Sequence, residues 1–318
     1  MQKLPDSFIL WLDPDMGAYI SLQRSLQKRC KAIETDYNSP DYKPPTRTTV
    51  FHEILSSTTL PSSQKHHARL WQDAQTVVIA GTVTTATNLS TLTYFLLTQP
   101  DTLKHVRDEL FSAIPHKTSP LNLSTLESLP YLTAFLMETL RFSNGISTRL
   151  QRIDPQHPLT FHARTDNILS PSPNNKTYTI PPNTPISMTP LLIHRNPHIF
   201  PNPLSFTPHR WLTPSTNPQT SKHTLHHQLD KYFLPFSKGT RNCLGINLAW
   251  AELYLLVAMV FRRYGSREDQ RGGDDGYLEL YGTTYEGDIE IVGDGVTPIV
   301  GEVGRGVRVL VRHCDVKG

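Results

Sequence analysis

Cysteine is scarce: Cys30, Cys243 and Cys314 are the only three in 318 residues. They are far apart, odd in number and without paired spacing. This argues against a secreted disulfide framework and a zinc ribbon, and for a reducing compartment. Cys30 and Cys314 read as unpaired structural or surface thiols. Charge is also sparse, at 19% of residues with a net charge of +3. No Lys/Arg stripe is interleaved with aromatics, so no nucleic-acid partner is expected. Uninterrupted apolar runs are missing too. Residues 8–12 lie between Asp6 and Asp13 and are too short for a signal-peptide core or a membrane span. Residues 77–97 are long enough, but six threonines, an asparagine and a glycine mark a buried helix instead.

What replaces these residues is Ser, Thr and 26 prolines, against a hydrophobic content of 37%. That composition predicts a globular chain with long irregular connections. Its length allows one large domain or two. Residues 1–33 read as a broken amphipathic helix with a basic end (Arg24, Lys28, Arg29, Lys31), and 34–48 as a Pro- and Thr-rich linker. A short helix is expected over 51–60 and a long one over 65–97, stopped by Gln99 and Pro100. The middle of the long helix, AGTVTTATN from Ala80, packs a glycine and poor helix formers into two turns. A helix over 100–113 follows. A third opens on a capping box from Ser124 to Glu127 and continues past Pro130 to Phe142. On it Glu138 and Arg141 share one face, in a setting apolar enough to suggest a buried pair. Residues 146–190 read as short strands, with Asn183 in a left-handed turn position. Residues 163–176 read as an irregular loop, 190–208 as proline-punctuated coil, and 213–230 as a polar loop whose His223, His226 and His227 bind no metal. The last 45 or so residues turn Gly- and Asp-rich and end in an edge strand marked by Val307, Val309 and Val311.

Residues 236–245, FSKGTRNCLG, carry the clearest chemistry. Turn formers and Arg241 precede Cys243, and an apolar helix follows Gly245. A thiolate at a helix N-terminus is favoured by the dipole, and serves as a nucleophile or as a ligand for a soft metal centre. A phosphatase-type thiol enzyme places its cradle and arginine after the cysteine, whereas Gly239 and Arg241 precede Cys243. A purely structural scaffold does not account for a lone cysteine in a Gly-flanked polar loop.

Four stretches occur in order: AGTVTT at 80–85, ETLR at 138–141, FTPHRW at 206–211 and FSKGTRNCLG at 236–245. Together they resemble the signature set of the cytochrome P-450 family, and fungal microsomal members most closely. The resemblance runs from about residue 45 to the C-terminus. It implies a mainly α fold with a minor β-sheet, the C-terminal portion only of the cytochrome P-450 fold. Residues 1–48 would be a preceding helix and linker, and 49–318 the distal helix, the Glu-x-x-Arg helix, the haem loop and the C-terminal strands.

The resemblance implies haem b (iron protoporphyrin IX) with Cys243 as axial ligand of the iron. Phe236, Gly239 and Gly245 would shape the loop, and Arg241 and Arg152 would meet the propionates. Glu138, Arg141 and Arg210 would be structural supports. Ala80 and Gly81 would leave room for dioxygen, and Thr84 would be the alcohol that steers protons. Position 83, often acidic in the family, is Val83, and His209 stands where Glu is common. The implied activity is a monooxygenase of secondary metabolism, inserting one oxygen atom from dioxygen into a lipophilic substrate, with residues 77–85 and 146–149 left to line the pocket. Electrons would come from NADPH through a diflavin reductase. The family usually sits on the cytoplasmic face of the endoplasmic reticulum by an anchor helix, which is not expected here. The alternative is a truncated haem-binding remnant, or an incomplete gene product, without turnover.

Overall fold

A computed structural model describes residues 5–14, 16–163, 175–213, 224–225, 227–301 and 304–313. They form two compact units, Met1–Thr82 and Val83–Gly318. The first holds α1 (Asp6–Leu12), α2 (Met16–Tyr37), α3 (Val50–Ser56) and the start of α4 (His67–Thr98). The break expected in the first helix falls at Asp13 and Pro14, and α2 extends into the residues expected to be linker. The helix α3 is shorter than the expected 51–60 and is capped by Thr49, whose hydroxyl meets His52 Nδ1 at 2.8 Å. Cys30, Leu55, Leu70 and Ala74 form this unit's small core. Burial raises the Cys30 thiol pKa, as suits an inert structural thiol. Cys314 lies outside the described residues.

The second unit contains the rest of α4, α5 (Pro100–Ala113), α6 (Leu123–Glu127), α7 (Pro130–Ser143), α8 (Pro190–His194), α9 (Ile246–Phe261) and α10 (Tyr285–Asp288). Its core draws Leu92 and Leu96 from α4, Leu103 and Val106 from α5, Phe135 and Leu136 from α7, and Leu253 and Val257 from α9. Phe206 stacks on Phe95 with ring centroids 4.0 Å apart.

Other expectations are corrected in this unit. The helix expected from Ser124 to Phe142 is two helices, because Pro130 has no N–H to donate and holds Leu129 in an extended conformation. Asn122, not Ser124, caps the first of them, accepting from the Ser124 N–H at 2.9 Å. The coil expected at 190–208 begins with α8, where Pro190 takes the first helical position.

The strands form small separate sheets. β1 (Leu150–Arg152) pairs with β4 (Ile186–Met188), and β2 (Leu159–His162) with β3 (Thr177–Ile180). Asn183, between β3 and β4, has φ 62° as expected. β5 (Leu212–Thr213) pairs with β6 (Thr224–Leu225) inside the expected polar loop, and His223 and His226 lie outside the described residues. β7 (Tyr264–Gly265), β8 (Gly276–Leu280), β9 (Ile291–Gly295), β10 (Thr297–Val300) and β11 (Val309–His313) follow. β11 is an edge strand on β8, in the order β11-β8-β7. Among the described residues no helix is long and apolar enough to cross a membrane.

Candidate functional site

The cysteine segment is a short looped turn closed by backbone bonds. Ser237 N–H donates to Leu234 O at 3.1 Å, Asn242 N–H to Gly239 O at 3.1 Å, and Cys243 N–H to Phe236 O at 2.9 Å. Gly239 has φ +82°, a left-handed conformation that glycine adopts without strain. Gly245 lies close to the sulfur without crowding it: a Cβ there would be in ordinary contact with the Cys243 Sγ at 3.9 Å. The thiol is exposed and stands three residues before α9. Phe236 packs toward Trp250, which stacks on Tyr254, with centroid separations of 6.1 and 5.7 Å. This aromatic row fixes the start of the loop against α9. Arg152, on β1, donates to Ser237 Oγ at 3.3 Å, so a residue 85 positions away in sequence reaches the same loop.

A buried anion anchors the surrounding segments. Glu138 is fully buried and accepts from Arg141 Nε and Nη2 at 2.9 and 2.8 Å. It also accepts from Arg210 Nε at 3.1 Å, Trp211 Nε1 at 2.9 Å and the Thr207 N–H at 2.9 Å. One carboxylate thus gathers two cations, an indole and a backbone amide, and its desolvation is offset by five hydrogen bonds. The remaining guanidinium donors reach carbonyls: Arg141 Nη1 those of His194 and Pro203, and Arg210 Nη1 that of Pro201. The 201–207 segment is therefore clamped onto α7.

His194, at the end of α8, is fully buried beside this cluster. Its Nε2 accepts the Leu234 N–H at 3.0 Å, and its Nδ1 meets Asn144 Oδ1 at 2.8 Å. Burial first, and the nearby Arg141 charge second, push its pKa down to about 3 from the usual 6.5. The unfolded chain therefore binds a proton that the folded chain refuses between those values, so stability is full above pH 6.5 and falls as the pH drops toward 3. From pH 6.5 to 5 the expected loss from this one group is about 1.5 kcal/mol, and urea unfolding at both pH values should show it in the wild type but not in His194→Gln.

The threonines of α4 are accommodated in a way their propensities do not show. Thr87, Thr91 and Thr98 donate back to the carbonyls four residues earlier, at 2.8–3.0 Å, which satisfies each hydroxyl within the helix. Thr85 instead reaches across to α9, its Oγ1 donating to Glu252 Oε2 at 3.2 Å. Thr84 lies against Gly145, where a Cβ would come within 3.4 Å of the Thr84 Cβ. The same helix is held to the end of α7 by Ser143 Oγ, which donates to Asn88 Oδ1 at 2.6 Å. Ala80 and Gly81 precede Thr84 by about one turn. Both are exposed, and a Cβ on Gly81 would meet nothing within 4 Å.

The sequence profile described as Cytochrome P450 matches residues 22–275. The chain belongs to the cytochrome P450 family. It is similar to the cytochrome P450 monooxygenases tpcC of Cochliobolus heterostrophus and astB of Talaromyces wortmannii, at 43% identity to each. Those matches cover 98% of this chain and 55% and 59% of the two relatives. It is also 34% identical to the N-acetyltryptophan 6-hydroxylase ivoC of Emericella nidulans, over 97% of this chain and 53% of that protein. The chain spans about half the length of the curated relatives it matches.

Membership of the P450 family implies haem, and the residues present fit it. A macrocycle that is apolar across its faces and carries two carboxylates needs a soft donor, cations at one edge and apolar contacts. Here Cys243 offers an exposed thiol, Arg152 and Arg241 offer guanidinium groups, and Leu244 and Leu248 beside the thiol are 92% and 61% exposed. The structure thus brings Phe236, Gly239, Cys243, Gly245 and Arg152 to one loop, and Glu138, Arg141 and Arg210 to one cluster. Sequence reasoning missed Thr207 and Trp211, whose bonds to Glu138 complete that cluster, and Glu252, which accepts from the Thr85 hydroxyl. Glu252 lies nine residues after Cys243 on an apolar helix, and that isolated charge was the available signal.

Proposed function

We propose that this chain binds haem through Cys243 and that the protein it represents inserts one oxygen atom from dioxygen into a lipophilic organic substrate. The observation that carries this is the exposed Cys243 thiol on a turn closed by the Cys243–Phe236 backbone bond, with Arg152 on the same loop. When bound, a thiolate-ligated haem supplies electron density that favours O–O cleavage. Cys243 is the donor in this reading, Phe236 restricts water beside the sulfur, and Arg152 and Arg241 hold the propionates by charge-assisted bonds. Glu138, Arg141 and Arg210 keep the flanking segments in register. The deciding measurement is the carbon-monoxide difference spectrum of the reduced, haem-supplied protein. A strongly red-shifted Soret band is expected, and its absence would sink the proposal.

Thr84 holds and passes a proton at its hydroxyl, with Ala80 and Gly81 leaving space beside it. With Val83 at the position that is often acidic, Glu252 on Thr85 is the carboxylate of this relay. Thr84→Ala is expected to uncouple oxygen consumption from product formation, with product per NADPH falling about tenfold or more and peroxide rising. Equal coupling in both proteins would remove Thr84 from the relay. Electrons come from NADPH through a diflavin reductase docking on the face that carries the exposed Cys243. Residence at the cytoplasmic face of the endoplasmic reticulum belongs to the same reading.

A further inference from the structure

We propose that His194 is a positioning residue that transmits the placement of α7 to the cysteine segment, through both ring nitrogens. The role it gives the segment rests on the haem-thiolate reading above. The bonds form a continuous chain. Asn144 caps α7 in a left-handed conformation, φ 46°, and its Nδ2 donates to the carbonyls of Arg141 and Phe142 at 2.9 and 3.1 Å. These two bonds turn its Oδ1 toward His194, so Nδ1 must carry the ring proton. That leaves Nε2 as a pure acceptor, and it takes the Leu234 N–H at 3.0 Å. Leu234 O then accepts from Ser237, and Phe236 O accepts from Cys243.

Only one state of the ring satisfies both ends. A second proton on Nε2 would face the Leu234 N–H, donor against donor, in a site with no exposure. The backbone of His194 belongs to the same assembly, because its carbonyl accepts from Arg141 Nη1 at 2.8 Å. Phe200 and Phe233 flank the ring, with centroids 6.1 and 6.3 Å away, and provide its packing. Packing alone would require the shape of an imidazole. Orienting the loop requires an acceptor at the Nε2 position, and these two demands can be separated by substitution.

The test is amide hydrogen exchange on the haem-free chain, comparing wild type, His194→Gln, His194→Asn and His194→Ala. Gln can place an oxygen near Nε2, whereas Asn reaches only to the Nδ1 position. Exchange across residues 234–243 is expected to rise about tenfold in His194→Ala and His194→Asn, and to return toward the wild-type rate in His194→Gln, while α7 stays protected in all four. On haem-supplied protein, the thiolate-ligated share of the reduced carbon-monoxide spectrum should follow the same order. The role is overturned if loop exchange does not change, if Asn and Gln behave alike, or if α7 loses protection in parallel with the loop. A wild-type chain lacking the red-shifted band would count against the haem reading alone, and the exchange comparison would still decide the role of His194.

Discussion

Cys243→Ser is expected to abolish the red-shifted Soret band while leaving the fold in place. Cysteine sulfur is a soft, electron-rich donor suited to a haem iron. A serine hydroxyl has the same shape but stays protonated and is a hard, weak donor, so the spectral signature should go. The structural cost should be small, because the side chain is exposed. A stability change within about 0.5 kcal/mol is expected by urea unfolding. An unchanged band in the serine variant would show that Cys243 is not the ligand.

Glu138→Gln should have the largest effect on stability. The side chains of Glu138 and Arg141 are 0% and 1% exposed, and Glu138 also receives Arg210, Trp211 and the Thr207 amide. An amide keeps the shape but removes the charge and turns donors toward donors, leaving Arg141 buried without a counter-ion. The expected cost is about 3–5 kcal/mol, enough to unfold a marginal chain. Asp73→Asn is the control, since Arg69 and Asp73 form a helical ion pair at 3.1 Å with both side chains more than a third exposed. It should cost no more than a few tenths of a kcal/mol. Equal losses from the two variants would remove the special standing of the Glu138 cluster.

The contrast between these two pairs shows where sequence reasoning stops. Arg69–Asp73 and Glu138–Arg141 are both opposite charges at helical spacing. Their apolar or polar surroundings hint at the difference, but burial is set by how α7 packs against α5, α9 and the 206–211 segment. The long helix α4, the helix after Cys243 and the final edge strand were legible because each has a clear period and a clear stop signal. The split at Pro130 and the short α8 were misread, since a proline can interrupt one helix and open another, and neighbouring structure decides which.

Taken alone, the sequence determined the chemistry: one cysteine in a Gly-flanked loop before an apolar helix, three supporting stretches in order, and the family to which they belong. These features are local, and covalent spacing along the chain carries them. Tertiary structure alone decided the partners: Trp211 and Thr207 on Glu138, Arg152 on the cysteine loop, Glu252 on Thr85, and His194 between Asn144 and Leu234. Most of these contacts join residues dozens of positions apart, and hydrogen bonds depend on distances and angles that packing sets and spacing does not encode.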